Sequence, residues 1–252
     1  MAKYLTEFNT YAEYKAATLN LPNVSLIKST GKVYYKNIFA GASLGDILMW
    51  DNVNNKLVTT FGGNWDSTTY PIAQYEPIAI NVYPADQASD GKSRYMALRW
   101  ASNTSDTGST SNVELMWGNY GDNLTSKDQT ALNGRDNTDK ALALADGTTA
   151  NTQAAFAAFA AVNRFRTNGT SAGDWYLPSY AELSLYKANY AGINAKITAI
   201  NNASSSIVNT VNSIQWSSTE YGSSLSWYLQ NKGNFDYNGK SFNGSARGMI
   251  AL

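Results

Sequence analysis

Gly173-Asp174-Trp175-Tyr176-Leu177-Pro178-Ser179 is the stretch on which the reading of the fold turns. Three large apolar side chains run into a proline, and Ser179 then stands in helix-cap position with Glu182 three residues later. That spacing is a capping box, in which each side chain takes a backbone N–H left unpaired at the helix start. Leu183, Leu185 and Tyr186 supply the faces of the helix that follows. Trp175, Tyr176 and Leu177 therefore read as core beside a helix start.

Upstream, Ala154, Ala155, Ala158, Phe159, Val162 and Phe165 recur at helical spacing in an alanine-rich run. They predict a helix from Ala150 to Arg166, stopping near Asn168-Gly169. Downstream, a weaker helical pattern covers Ile193 to Asn201. Strand signals bracket these helices. Before them lie Ile47–Trp50 and Leu57–Thr60 about a turn at Asp51–Lys56, then Pro77–Tyr83 and Tyr95–Trp100 joined through Asp86–Lys92. Their short apolar runs are rich in aromatic and branched residues. The Ser/Thr/Gly/Asp tract from Ser102 to Ser111 has no core signal and reads as a loop. After the helices come Ser213–Ser217, a hairpin of Leu225–Gln230 with Phe235–Tyr237 about Asn231-Lys232-Gly233, and a closing strand over Ser245–Leu252. Strands, helices and strands again give an α+β order in which the terminal strands can share a sheet.

The first 40 residues stand apart. Phe8, Tyr11 and Tyr14 predict a short amphipathic helix from Thr6 to Leu19, ended at Pro22. Val24–Ile27 and Val33–Tyr35 then form a hairpin about Ser29–Lys32. The segment is too small to bury much surface alone, so residues 1–40 read as an attachment segment and 41–252 as the main domain. The N-terminus has no apolar secretory core and no apolar run reaches membrane-spanning length.

Composition narrows the function. Lys+Arg and Asp+Glu balance at 19 each and charged residues are 15% of the chain, so there is no basic footprint for nucleic acid or an anionic membrane. Histidine and cysteine are both absent. That removes thiol nucleophiles, disulfides, zinc sites and the usual base near neutral pH. Only a carboxylate mechanism of the glycosidase kind stays open, and no Asp/Glu pair stands out for it. The reading is of a non-enzyme with no cofactor and no metal. The 17 Tyr, 7 Trp and 19 Gly, with plentiful Ser and Asn, match the palette of antibody-like recognition surfaces, and equally that of an ordinary β-protein whose Asn and Gly sit in turns.

The blocks Gly173–Ser179 with Glu182-Leu183, and Trp216-Ser217-Ser218-Thr219-Glu220, together resemble the C-type-lectin-like domains of gut-bacterial and phage surface proteins. The chain from Trp216 to Leu252 is similar to the variable region of variable proteins of diversity-generating retroelements, a family that includes phage tail-tip receptor-binding proteins. Gly45-Asp46-Ile47, Thr69-Tyr70-Pro71 and Tyr75-Glu76-Pro77-Ile78 resemble the N-terminal half of such phage proteins.

The resemblance implies a mixed, mainly antiparallel sheet with two helices, and a diversified ligand-binding face made of Tyr221, Ser224, Tyr228, Asp236, Tyr237, Asn238, Gly239, Ser241, Phe242, Asn243, Gly244 and Ser245. Lys240 and Arg247 fall within that stretch as framework. Adenine mutagenesis of Asn codons cannot reach Gln, Lys, Glu, Met or Trp, which leaves out Gln230 and Lys232. Tyr237 and Phe242 are the expected aromatic anchors. The calcium-lectin motifs are lacking, since only Glu76-Pro77-Ile78 approaches one. The resemblance further implies a bacterial cell-surface protein or glycan as target, a virion or cell-surface location, and a homo-oligomer, with a trimer by analogy. A fixed-specificity adhesin on the same fold and a carboxylate-based glycan hydrolase are the alternatives.

Overall fold

The structure is a computed structural model that describes residues 42–60, 65–119, 121, 123–145, 147–148, 152–203, 214–230 and 233–252, together with the strands 5–8, 24–27 and 32–35. Those three strands, β1 (Leu5–Phe8), β2 (Val24–Ile27) and β3 (Lys32–Tyr35), form their own sheet, with β1 parallel to β2 and β3 antiparallel to it. The β2–β3 hairpin is as read from the sequence. The helix expected from Thr6 begins instead as a strand. Pairing of Leu5–Phe8 with Val24–Ile27 is a non-local contact that overrides the local helical pattern. The remainder of that expected helix lies outside the described residues.

The main sheet has five strands, ordered β13–β7–β6–β4–β5 and antiparallel throughout. They are β4 (Ile47–Asp51), β5 (Lys56–Thr59), β6 (Tyr75–Tyr83), β7 (Arg94–Ala97) and β13 (Met249–Ala251). Both faces of this sheet are covered. Leu48, Ile78, Tyr95 and Ala97 point into one core with Phe159, Trp175 and Trp216, while Ile47, Met49, Ile80, Val82 and Met96 point into the other with Leu183, Tyr186 and Ile197. Two-sided burial is why Ile47–Trp50 of β4 and Pro77–Ile80 of β6 read as apolar runs and not as alternations.

Four helices are described: α1 (Gly134–Leu144), α2 (Ala157–Arg164), α3 (Tyr180–Ala188) and α4 (Tyr190–Ala203). The capping box on α3 is present, with Ser179 Oγ accepting from Glu182 N–H and Glu182 Oε2 accepting from Ser179 N–H at 2.8 Å. Helix α2 starts later than alanine content predicts, since residues 153–156 are turns, and it ends at Phe165 before Asn168-Gly169. Helix α1 matches none of the helices read from the sequence. Its buried residues are Gly134, Asn137, Thr138 and Ala141, at helical spacing but polar or small. Thr138 Oγ1 accepts from Leu177 N–H at 2.9 Å and Asn137 Nδ2 donates to Ser218 Oγ at 3.2 Å, so a polar stripe docks the helix where apolar residues usually do.

The remaining strands build the hairpin region: β8 (Leu115–Met116) pairs β12 (Asn243–Gly244), and β9 (Gln215–Glu220), β10 (Leu225–Leu229) and β11 (Phe235–Gly239) form an antiparallel sheet ordered β11–β10–β9. The closing strand is shorter than Ser245–Leu252. Ser245 N–H goes to Ile214 and the carbonyls of Ala246 and Gly248 accept from Ala101 and Ala97, so the chain crosses between layers before β13 begins. The two sequence blocks lie side by side: Ser218 N–H donates to Pro178 C=O at 2.7 Å and Tyr180 N–H to Thr219 Oγ1 at 2.9 Å. Trp175, Leu177 and Trp216 are fully buried and Tyr176 nearly so, as their reading as core requires.

Burial also sets the response to pH. No side chain is a histidine or cysteine, so stability should be flat from about pH 6 to 9. Burial pushes the Tyr95 and Tyr186 phenols far above their ordinary value, and burial beside the Glu182 carboxylate does the same to Tyr176. Each holds its proton when folded and loses it above about pH 10 when unfolded, so its contribution is intact below that pH and is lost as pH climbs. Burial acts on the Arg247 guanidinium in the opposite direction, bringing it down to about 10 and offsetting part of this effect. The buried phenols outnumber that guanidinium, so stability falls as pH rises above about 10. Urea unfolding between pH 6 and 11 measures this, and Tyr95→Phe should lower the slope by about one proton. An equally flat curve above pH 10 would contradict the assignment.

Candidate binding face

Alternation along the β10–β11 hairpin sorts its side chains onto two sides. Trp227 pairs with Tyr237 and Leu229 with Phe235 on one side; Tyr228 pairs with Asp236 and Ser226 with Asn238 on the other.

The first side carries a run of aromatic rings. Tyr221 and Tyr237 are stacked, with centroids 4.0 Å apart and planes at 13°. Trp227 meets both edge-on, at 5.1 and 5.7 Å. Tyr180 sits 5.2 Å from Trp227 and stacks on Phe235 at 3.9 Å. Lys187 Nζ lies 5.4 Å from the Phe235 centroid and closes that end. Tyr221 and Tyr237 are 45% and 44% exposed, whereas Trp227, Tyr180 and Phe235 are half-buried between them and the core. Helix α3 holds Tyr180 in place, because Tyr180 directly follows the Ser179 cap. The arrangement offers a ridge of rings on a rigid base, suited to stacking and to filling an apolar pocket.

The second side is polar and more enclosed. Asp236 Oδ2 accepts from Gln230 Nε2 at 2.8 Å and lies 3.4 Å from the Tyr228 hydroxyl. Tyr228 itself is 6% exposed, its ring edge-on to Trp216. Asn238 is half-buried, with its Oδ1 accepting from Gly239 N–H. The turn after β11 exposes Ser241, Phe242 and Asn243, with Phe242 N–H bonded to Gly239 C=O. At 42% exposure Phe242 is not core.

The expected site residues are thus divided. Tyr221 and Tyr237 come together on the aromatic side; Asp236 and Asn238 face away from it, and Ser241, Phe242 and Asn243 form the adjoining turn. Ser224 and Gly239 are half-buried, and Ser224 C=O accepts from Lys240 N–H. Three positions lie in the interior and are corrected. Tyr228 packs on Trp216, and Ser245 exchanges backbone hydrogen bonds with Ile214 and Trp216. Gly244 is bare because a Cβ there would meet the Trp216 indole at 2.6 Å. Lys240 and Arg247, read as framework, are fully buried.

Trp227, Tyr180 and Phe235 belong to this side although the sequence pattern gives them no site role. The strand alternation that pairs Trp227 with Tyr237 is visible in the sequence once the hairpin register is known. The codon argument, by contrast, turns attention away from any tryptophan. Among the described residues no group of His, Cys, Asp and Glu could hold a metal ion, and no helix is long and apolar enough to cross a membrane.

No protein-family model matches the chain and no curated protein matches it in sequence. A solved structure does match, that of a fimbrial protein from Bacteroides ovatus ATCC 8483, with a TM-score of 0.52 at 12% identity over 83% of this chain. The two share a fold. This chain spans 49% of that fimbrial protein, about half its length. The common architecture is the α+β body just described.

Proposed function

We propose that the chain is a non-catalytic recognition module of surface-adhesin type that engages its target through the aromatic ridge of Tyr221, Tyr237 and Trp227. The observation that carries this reading is the stacked pair of half-exposed tyrosines seated on a tryptophan edge. Large rings left at a surface and braced from beneath bind with little loss of side-chain freedom. The fold shared with a fimbrial protein supports the adhesin form of the proposal. In its finer form the scaffold is C-type-lectin-like and the exposed turn Ser241–Asn243 is diversified, as in retroelement variable proteins carried at a phage tail tip. Sequencing the flanking DNA for a reverse transcriptase and a near-copy of the segment encoding Trp216–Leu252 separates a diversified binder from a fixed one.

Labelled protein applied to a glycan array and to a panel of whole bacterial cells should give binders that Tyr237→Ala and Phe242→Ala each weaken. Truncating such an anchor costs about 2 kcal/mol or more, roughly thirtyfold in affinity. The melting temperature should stay within a few degrees of the wild type, since both side chains are exposed. Undiminished binding by a Tyr221→Ala/Tyr237→Ala variant would exclude the ridge. Cleavage of labelled glycans by the purified protein would exclude the non-catalytic reading.

A further inference from the structure

A second concavity, built from elements other than the hairpin, carries a different chemistry. Glu76 and Ile78 on β6, Arg99 just past β7, Thr107 on the 102–111 loop, and Arg166 and Asn168 after α2 line a cleft of about 290 Å³. That volume is at the lower end for small-molecule sites, roughly 300–1,000 Å³, and suits one ring better than a chain.

Its cations are underused. Among the described residues Arg99 has no carboxylate within ion-pair distance, and its guanidinium makes one long contact, 3.5 Å to Thr107 C=O. Arg166 pairs with Asp106 at 2.9 Å, but both side chains are about half exposed, and a solvated pair of that kind contributes little. It can be exchanged for a ligand at small loss. Glu76 is already turned toward Asn168, whose Nδ2 donates to its Oε2 at 2.8 Å. The cleft therefore combines guanidinium forks with a carboxylate, an amide and a hydroxyl able to meet ring hydroxyls.

The wall is also preformed. Trp100 and Ser109 exchange backbone hydrogen bonds at 3.0 and 2.9 Å, and Arg166 N–H donates to Asp106 C=O at 2.8 Å. Gly108 has φ +75°, and a Cβ there would meet both Phe165 and the Trp100 carbonyl at 2.6 Å, so the loop closes only with glycine at that position. A loop held this way has little freedom left to lose on binding.

The geometry points to this cleft as a binding site for a carboxylate-bearing sugar, a uronic-acid type of residue, with the carboxylate received by Arg99 and Arg166 and ring hydroxyls by Glu76 and Asn168. It takes no part in the aromatic ridge, so it stands or falls separately from the adhesin reading.

The test is titration of the full chain with methyl β-D-glucuronide, methyl β-D-glucoside and sodium sulfate, followed by calorimetry and amide chemical shifts. The glucuronide should bind at least about tenfold more tightly than the glucoside, with shifts at Gly108 and Asn168 and weakening by salt. Arg99→Ala should abolish the preference, Arg99→Lys should retain only part of it because the planar fork is lost, and Arg166→Ala should weaken it with the melting curve unchanged. Equal binding of the two glycosides, no glucuronide binding, or shifts confined to other surfaces would overturn the proposal. Sulfate binding as tightly as the glucuronide would overturn it too, because the cleft would then read charge and not a sugar acid.

Discussion

Replacing Lys240 with methionine should lower stability by about 3–5 kcal/mol, which is the usual result of stranding one member of a buried ion pair. Lys240 and Glu220 are both fully buried, with Nζ 2.7 Å from Oε1. The same Oε1 accepts from Leu124 N–H at 2.7 Å, and the ammonium lies 4.9 Å from the Trp117 ring centroid. Removing the ammonium leaves a carboxylate out of water with a single backbone donor among its described hydrogen bonds. The double variant Lys240→Met/Glu220→Gln removes both charges and should recover much of the loss, since well-packed neutral replacements of buried pairs are often tolerated. Urea unfolding of the two single variants and the double variant completes the cycle. A loss below about 1 kcal/mol for Lys240→Met would mean the pair is hydrated. The Lys240 backbone also has a positional task. Trp117 and Gly118 N–H groups bond to Lys240 C=O, so this residue ties the exposed Ser241–Asn243 turn to the body.

Glu182→Ala should be comparably severe, about 3–5 kcal/mol, or a melting temperature lower by roughly 10 °C. One carboxylate serves several buried groups. Its Oε2 caps α3 through Ser179 N–H, and its Oε1 accepts from the Tyr176 hydroxyl at 2.8 Å and lies 3.5 Å from Arg94 Nε. The cap alone accounts for about 1 kcal/mol. The rest comes from leaving a buried phenol and a buried guanidinium short of an acceptor, although Arg94 keeps Asp90 at 2.8 Å. Glu182→Gln keeps the cap acceptor and should lose distinctly less in thermal melts. Equal losses for the two variants would show that the charge, and not the cap, is what α3 needs.

Both residues show what could be read from the sequence. Glu182 was legible because a capping box is local: four residues suffice to define it, and burial of Trp175 and Leu177 beside it follows from their size. Lys240 was legible only as an interruption in an otherwise polar, aromatic-rich stretch, and its partner 20 residues away was not. Helix α1 escaped because its buried stripe is Gly134, Asn137, Thr138 and Ala141, and hydrophobic periodicity cannot register a face held by hydrogen bonds. The α+β order and the β10–β11 hairpin came through because apolar alternation and turn residues are properties of neighbours. Which side of that hairpin each residue occupies depends on pairing register, and hence Asp236 and Tyr237, adjacent in sequence, end on opposite sides. Gly244 and Ser245 were misplaced for a similar reason. Their enclosure depends on Trp216, about 30 positions earlier, which no local pattern brings near.

The stacking of Tyr221 on Tyr237 makes the two positions energetically as well as spatially linked. A ring lost at one leaves the other without its lateral support, so the surviving side chain gains rotamers and presents a different contour. Substitutions at the two sites should therefore combine non-additively, and scanning either position alone would misjudge what the pair contributes. Variation that keeps two flat side chains would alter the ridge in small steps. Variation that breaks the pair would reshape it in a single change.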